Sequence, residues 1–597
     1  MKFFRLYSLA LAGALMLGAC SSSDDLKDGG ATANEGKSYI AVNIKSVGTA
    51  GAGTRADGDY PQGGGTYEDG TANEGAISAV RFFFFNSDGS PYIMKGSDVN
   101  YKELNNNTPL TGADHLYTIE GKTAAMLVIE GETKTAPAYM IAVVNPGTLK
   151  NLEKIAYRES QLRDKFTDTQ FVKIATDNSG KQYSDFVMSN SVYAENGARV
   201  CASSVSGHVK ENADAAKDNP VDIYVERVVA KATTNVNTTT GSKWEQISDG
   251  ADAGKYKIQV GEIYIDAEHK KNVYAVVQGW GLADENGQAE LEKQIDVSSN
   301  SNWTSAILGI DPWTSPDYHR CFWSASVPFT TASGTNPIVN HKFSDFTTPF
   351  GTTPLYTCPN TPTYEEFDTQ KINENPYDNT LTKVLVAAKL VYYDDQNNSH
   401  PADICKYRGI QILGADNVKK QVAKDHSEYW TVDPNNTSKH ILLAPEDLEY
   451  TRTNLAGSTI DKLKSYEVRP VLKAGVKVYK KKSDGSGSFE TTDSNSELNT
   501  ELAKSPVQVR KDGMTYYYTP IRHLAESKDK WAYYGVVRNH SYRITINTMS
   551  GFGTPVYDPK EEIDPVIPKD TETYLAARIN VLSWRVVPSS VDLDATK

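Results

Sequence analysis

The sequence predicts an all-β protein, and three observations carry that prediction. Runs rich in Val, Ile, Thr and Tyr recur along the chain, Asn, Asp, Gly and Pro break them, and Tyr is the dominant aromatic at 34 residues. This is the composition of antiparallel sheets joined by turns. At 597 residues the chain exceeds one ordinary domain, so two are expected together with appended segments.

The chain opens with Lys2 and Arg5, an apolar run from Leu6 to Met16, and then Leu17, Gly18, Ala19 and Cys20. A positive start, a short apolar stretch and small residues before a cut describe a secretory signal over residues 1–20. The stretch is too short to span a bilayer. A cysteine directly after Leu-Gly-Ala resembles a bacterial lipobox, which makes Cys20 the lipidated first residue of an exported chain.

Residues 21–55 form a leader. Ser21 to Lys37 is a polar tether. From Tyr39 to Val47, Ile40, Val42 and Ile44 alternate with polar or small residues, the period of a half-buried strand. Gly48 to Tyr67 is rich in Gly, Ala, Thr and Asp, and its centre holds Arg55, the only arginine between Arg5 and Arg81. A lone basic residue in such a loop is where a trypsin-like protease cuts, here between Arg55 and Ala56.

A first sandwich is expected over 56–232. Its strands are Ala76 to Asn86, which reads as buried on both faces, then Leu116 to Ile119, Ala124 to Ile129, Ala138 to Val144, Phe186 to Tyr193 and Val221 to Ala232. Leu149 to Asp168 mixes charges with spaced Leu, Ile and Phe and reads as a helix. A second sandwich follows over 233–550. Its strands are Tyr256 to Asp266, Asn272 to Val277, Lys383 to Tyr393, Glu467 to Tyr479 and Ser541 to Asn547, with a hairpin turn at Asp484 to Gly487. Asn300 to Glu374 reads as decorated loops. Residues 551–597 hold a Pro- and acid-rich spacer, then a last strand within Ala576 to Leu593. There Ile579 and Val581 fall on one face and Leu582, Trp584 and Val586 on the other, so the alternation changes phase and a bulge or jog is expected. Such an apolar strand on a spacer needs an acceptor, in its own domain or in another molecule.

Chemistry has little to stand on. A formal charge of -13 without a basic stripe argues against nucleic acid. The ten histidines form no HExxH and no ligand-spaced cluster, so no metal is expected; no phosphate cradle or other cofactor motif occurs. The His319, Arg320, Cys321 triplet lacks partners for nucleophilic catalysis. Asp394 to Asn398 reads as a polar hairpin turn before it reads as a calcium loop. The loops around Trp303, Trp313 and Trp323 are candidates for contact with a glycan or a host protein, against the alternative of local cores. Apart from Cys20, the cysteines are Cys201, Cys321, Cys358 and Cys405. Loop proximity pairs Cys321 with Cys358, and buried thiols are the alternative.

Several segments taken together resemble a known family: the lipobox at Leu17 to Cys20, Thr54-Arg55-Ala56, Val225-Glu226-Arg227-Val228-Val229-Ala230-Lys231, Val537-Arg538-Asn539 before Tyr542, and the tail Val581 to Val586 with Val591, Asp592 and Leu593. The chain resembles the type V fimbrilins of Bacteroidales, the major shaft subunits of short (minor) fimbriae. The resemblance implies two tandem transthyretin-like β-sandwiches, an outer-membrane lipoprotein precursor, and no enzymatic activity. It also implies cleavage by an arginine-specific protease at Arg55 and release of the lipid with the strand bearing Ile40, Val42 and Ile44. The C-terminal donor strand of another subunit, with Ile579, Val581, Leu582, Trp584 and Val586, then fills the groove. The implied partners are identical or related fimbrial subunits, including anchor and tip subunits. A tip or accessory subunit, and a monomeric surface lipoprotein that binds a glycan or host protein, are the alternatives.

Overall fold

The computed structural model describes residues 38–46, 70–106, 114–119, 122–130, 135–164, 166–177, 180–195, 198–265, 269–295, 314–315, 320–327, 338–339, 341–351, 353–362, 381–453, 463–490, 494–523, 531–563, 574–582 and 588–590. Most of its regular elements are β-strands and the helices are few and short. Cys20, Arg55, Ala56, Trp303, Trp313, His319, Trp584 and Val586 lie outside the described residues.

The first half builds one long sheet. Its order is Tyr101–Asn105, Ala79–Phe85, Tyr139–Val144, Met188–Asn190, Val221–Arg227, Ser38–Ser46, Lys122–Ile129 and His115–Ile119, with Ser203–Ser204 beside Tyr139–Val144. Every neighbouring pair is antiparallel except Ser38–Ser46 on Val221–Arg227, which is parallel. Ala79–Phe85 carries Val80 and Phe82 to Phe85, all fully buried, as the apolar run requires for a strand covered on both faces. The helix expected over Leu149 to Asp168 shrinks to Glu159–Arg163. Leu152, Tyr157 and Leu162 all reach the core, but they fall five residues apart, wider than a helical turn. Side chains take over the backbone groups instead: Arg81 donates to the carbonyls of Leu152 and Glu153, and Asn100 exchanges bonds with Tyr157.

The chain changes domain inside one predicted strand. Val221 to Ala232 splits at Val228 and Val229, which still pack in the first core, while Ala230–Val236 joins the second. The second half is a sandwich. One sheet runs Leu355–Thr357, Ala230–Val236, Ser541–Ser550, Tyr574–Leu582 and Pro588–Ser590; the other runs Glu245–Gln246, Tyr256–Tyr264, Lys270–Ala283, Lys383–Tyr393, Met514–Pro520 and Thr554–Pro555. Tyr542, Ile544 and Ile546 face Val273, Val384, Val386 and Tyr517 within one core. Each half repeats one arrangement: its first strand lies parallel to a late one, Ser38–Ser46 on Val221–Arg227 and Ala230–Val236 on Ser541–Ser550.

Lys383–Tyr393 and Met514–Pro520 pair directly, yet the residues between them form a further core. It contains helices Ala415–Asp425 and Asn495–Ala503, with Val418, Val422, Leu498 and Leu502 packed against Tyr407, Leu448 and Val468. Glu467 to Tyr479, expected as one strand, breaks within this module into Glu467–Leu472 and Val478–Lys480. The described part of the expected spacer is not a free linker. Residues 551–563 are docked: Thr554 and Pro555 pair with Met514–Pro520, Ser344 N bonds Pro559 O at 3.0 Å, and Ile563 N bonds His341 O at 2.8 Å. Prolines did not prevent this, because an edge position leaves their missing N–H without consequence.

Candidate strand-exchange site and domain junction

The leader strand Ser38–Ser46 is a structural strand of the first core, not an appendage. Ile40 and Val42 are fully buried and Ile44 is 4% exposed, all three in the main core. Their burial stabilises the domain by about 5–9 kcal/mol before ordering costs. On the other face Ala41 is also fully buried, against Met126 and Ala216 of helix Ala213–Lys217. Both edges are paired: Val42, Asn43 and Ile44 lie opposite Val221, Asp222 and Ile223, while Ile40 lies opposite Leu127. Asn43 Nδ2 donates to Asp222 Oδ1 at 3.1 Å, and the Tyr39 backbone exchanges bonds with Lys210 at 2.7 and 2.9 Å. Residues 47–69 connect this strand to the rest of the chain and contain Arg55. Taking the strand away would bare two strand edges and an apolar trough between them, a template for strand addition.

The tail occupies the opposite end. Tyr574–Leu582 pairs antiparallel with Ser541–Ser550, Ile579 opposite Ile544 and Ala577 opposite Ile546, with a register shift between Ile546 and Thr548. Pro588–Ser590 folds back on Arg578 to Asn580. The tail is therefore two strands of a hairpin, and where a jog in one strand was expected the chain reverses. In this structure the acceptor is its own second domain.

Between the two ends lies a buried polar junction that unites the segments carrying the sequence resemblance. Glu226 meets Lys293 at 2.6 Å with both side chains fully buried. Arg538 donates to Leu291 O at 2.7 Å and to Ser189 Oγ at 2.9 Å. Arg227 donates to Glu74 O at 2.7 Å and to Asn539 Oδ1 at 3.3 Å, and Asn539 N bonds Val229 O. Glu74 closes a capping box with Thr71, pairs with Lys231 at 2.6 Å and accepts from Tyr356. Burial opposes its charge, yet Lys231 and Tyr356 hold its carboxyl below the usual range. Burial instead pushes Glu290 and Glu292 up to about 8, and lowers Arg538 beside them. The sequence segments 225–231 and 537–539 were legible as unusual, but nothing in one sequence announced that they meet.

Other expected sites resolve into structure. The four cysteines are thiols. Cys321 packs with Val192, Cys201 and Ile295, whereas Cys358 packs against the first core, so the bridge expected between them on loop proximity is not made. Burial raises Cys358 to about 12. Trp323 is fully buried against His523, a local core and not a contact surface. Asp394 closes the hairpin turn read from the sequence: His400 at 2.9 Å and Asn398 hold its carboxyl well below the usual range. No group of three or more metal-ligating side chains occurs among the described residues. A cavity of about 360 Å³ opens where the docked spacer meets the inserted module, walled by Tyr466, Tyr516, Tyr557 and Val556 with Glu561 and Lys464 at its edge.

Residues 509–589 match the family described as major fimbrial subunit protein type IV, Fimbrillin, C-terminal. That span holds Met514–Pro520, Arg538, Ser541–Ser550 and the tail hairpin. No curated protein matches the chain. Among solved structures, the chain is similar to a candidate cell adhesion protein from Parabacteroides distasonis ATCC 8503, at 12% identity and a TM-score of 0.30, covering 93% of this chain and 98% of that one. A fimbrial assembly protein from the same organism is 11% identical with a TM-score of 0.24, over 61% and 86% of the two chains. The tip fimbrial protein Mfa3 from Porphyromonas gingivalis is 8% identical with a TM-score of 0.27, over 92% and 100%.

Proposed function

We propose that this protein is a structural subunit of a surface fimbria that polymerises by strand exchange and supports adhesion. It is exported as an outer-membrane lipoprotein on Cys20 and cut after Arg55 by an arginine-specific protease. The leader strand then leaves, and the C-terminal strand of another subunit takes its place. Two transthyretin-like sandwiches form the body, and anchor and tip subunits complete the fibre. The observation that carries this reading is the leader strand itself: an internal strand, buried on both faces, whose connection to its own domain runs through the segment holding Arg55. The fimbrillin match over residues 509–589 supports the same reading. Repeated head to tail, such a contact is heterologous and builds an open filament. Possession of both a removable strand and a donor tail favours a shaft subunit over a tip.

A second reading has its own observation. The tail pairs within its own chain, as expected of a monomeric surface lipoprotein, and the Tyr-walled cavity would then take a glycan or host ligand. One experiment separates the two. N-terminal sequencing of the surface-exposed protein should start at Ala56, and truncation after Asp570 should abolish polymers. A mature chain that begins at Cys20 and is indifferent to the truncation overturns the fimbrial reading.

A further inference from the structure

The leader strand and the tail strand share a sequence pattern, with three of nine positions identical. Residues 38–46 read Ser-Tyr-Ile-Ala-Val-Asn-Ile-Lys-Ser, and residues 573–581 read Thr-Tyr-Leu-Ala-Ala-Arg-Ile-Asn-Val. Without a gap, Tyr39 matches Tyr574, Ala41 matches Ala576 and Ile44 matches Ile579; Ile40 faces the isomeric Leu575. The structure explains why these positions matter. Ile40, Val42 and Ile44 fill the core, so apolar residues are needed at alternate positions. Ala41 is fully buried against Ala216 and Met126, so the residue between the first two must be small. Asn43 reaches Asp222 across the parallel pair, so a donor is wanted next.

We infer that the tail of a second copy enters the vacated slot parallel to Val221–Arg227, in the one register that sets Tyr574 at the place of Tyr39 and Ile579 at the place of Ile44. Leu575, Ala577 and Ile579 then replace Ile40, Val42 and Ile44, and Ala576 falls where only a small residue fits. Arg578 comes opposite Asp222 and turns an amide–carboxylate hydrogen bond into an ion pair. A slip of two residues in one direction drives the Arg578 guanidinium into the closed Ala41 site. The same slip in the other direction places the Tyr574 ring there. A slip of one turns the whole apolar set to the wrong face. The replacement of Val42 by Ala577 is the single loss of volume. This register rests on the fimbrial reading, since it needs the slot to be emptied. The ten residues between Ile563 and Tyr574 span at most roughly 35 Å when extended, enough for the tail to leave Ser541–Ser550 while residues up to Ile563 stay docked.

The test uses the full chain matured with an arginine-specific protease, under mild air oxidation, with the unsubstituted chain as background for its own cysteines. Asp222→Cys with Arg578→Cys should give a ladder of disulfide-linked multimers that reductant collapses. Asp222→Cys with Asn580→Cys, the pair of the slipped register, should link at least about tenfold less, because Cβ atoms two residues out of register lie beyond disulfide reach. Asn43→Cys with Asp222→Cys in the uncut precursor should close within one chain and shows that the site is reactive. Fibres seen by electron microscopy without the Arg578 ladder overturn the register and leave strand exchange standing. Absence of any multimer from the matured parent overturns strand exchange itself. As an independent measurement, Asp222→Arg should cut polymer yield and Asp222→Arg with Arg578→Asp should restore it; Asp222 is exposed, so the fold tolerates both. Failure of the reversed pair to restore yield overturns the ion pair and with it the register.

Discussion

The leader strand and the tail strand differ in how many long neighbours hold them, although they share one pattern of apolar and small residues. Ser38–Ser46 is paired along both edges by long strands and packed on both faces. Tyr574–Leu582 has one long neighbour, Ser541–Ser550, and on its other edge only the three-residue strand Pro588–Ser590. One segment is internal and the other sits near the rim of its sheet. Under the proposed function, an exchange between the two sites would move a strand from one long neighbour to two, which favours the internal site once it is empty. Occupancy of the slot is then what prevents it in the precursor, and cleavage after Arg55 would end that occupancy.

The largest expected effect breaks that control. Arg55→Ala should leave the lipoprotein made and exported but unpolymerised, read as loss of high-mass ladders on gels run without boiling. Fibres of normal length from this variant would remove proteolysis from the assembly step. Next in size, Val42→Asp places a carboxylate in the first core and should destabilise the precursor by about 4 kcal/mol, seen as a lower urea midpoint. Trp584→Asp should instead leave that midpoint within about 0.5 kcal/mol and block donation. Equal unfolding losses from both substitutions would erase the distinction between an internal and a peripheral strand.

The strands were the readable part of the sequence. Ile40, Val42 and Ile44 alternate, and Phe82 to Phe85 form an unbroken apolar run, so both strands could be read from their pattern alone. The helix of residues 415–425 was missed because it buries only Val418, Val422 and Ala423, too few to stand out from charged neighbours. Leu149 to Asp168 misled in the opposite direction, since its core residues are reached by an irregular chain whose backbone Arg81 and Asn100 satisfy. The break at Val228 and Val229 was hidden within a continuous β-branched run that serves two cores in succession. Long-range partners were out of reach altogether: Glu226 with Lys293 and Arg538 with Ser189 join residues that only the fold brings together.

The junction sharpens the contrast, because exchange at both ends requires a body that does not move. Lys231→Met strands the buried Glu74 carboxylate with Tyr356 and Thr71 alone and should cost about 3 kcal/mol. It should leave strand exchange intact at temperatures where the domains stay folded. If polymer yield falls in proportion to stability even well below the melting point, the junction takes part in exchange and the two ends are not independent.

The smallest expected effect is a pH response set within the same junction, where two kinds of carboxylate work in opposite directions. Glu74 is held below its ordinary value, so its contribution is present above about pH 4.5 and is lost as the pH falls further. Glu290 and Glu292 are pushed up to about 8 by burial, so folding favours their neutral forms. Their contribution is full below pH 4.5 and is lost as the pH rises towards 8, because the unfolded chain ionises them and the folded one resists. The sum therefore peaks close to the ordinary carboxylate range, and the melting temperature should fall as the pH rises from about 5 to about 8. Glu292→Gln keeps the shape and the hydrogen-bonding capacity while removing the ionisation, so it should flatten that slope and leave the acid limb set by Glu74 unchanged. A slope that survives Glu292→Gln combined with Glu290→Gln would place the titrating groups elsewhere.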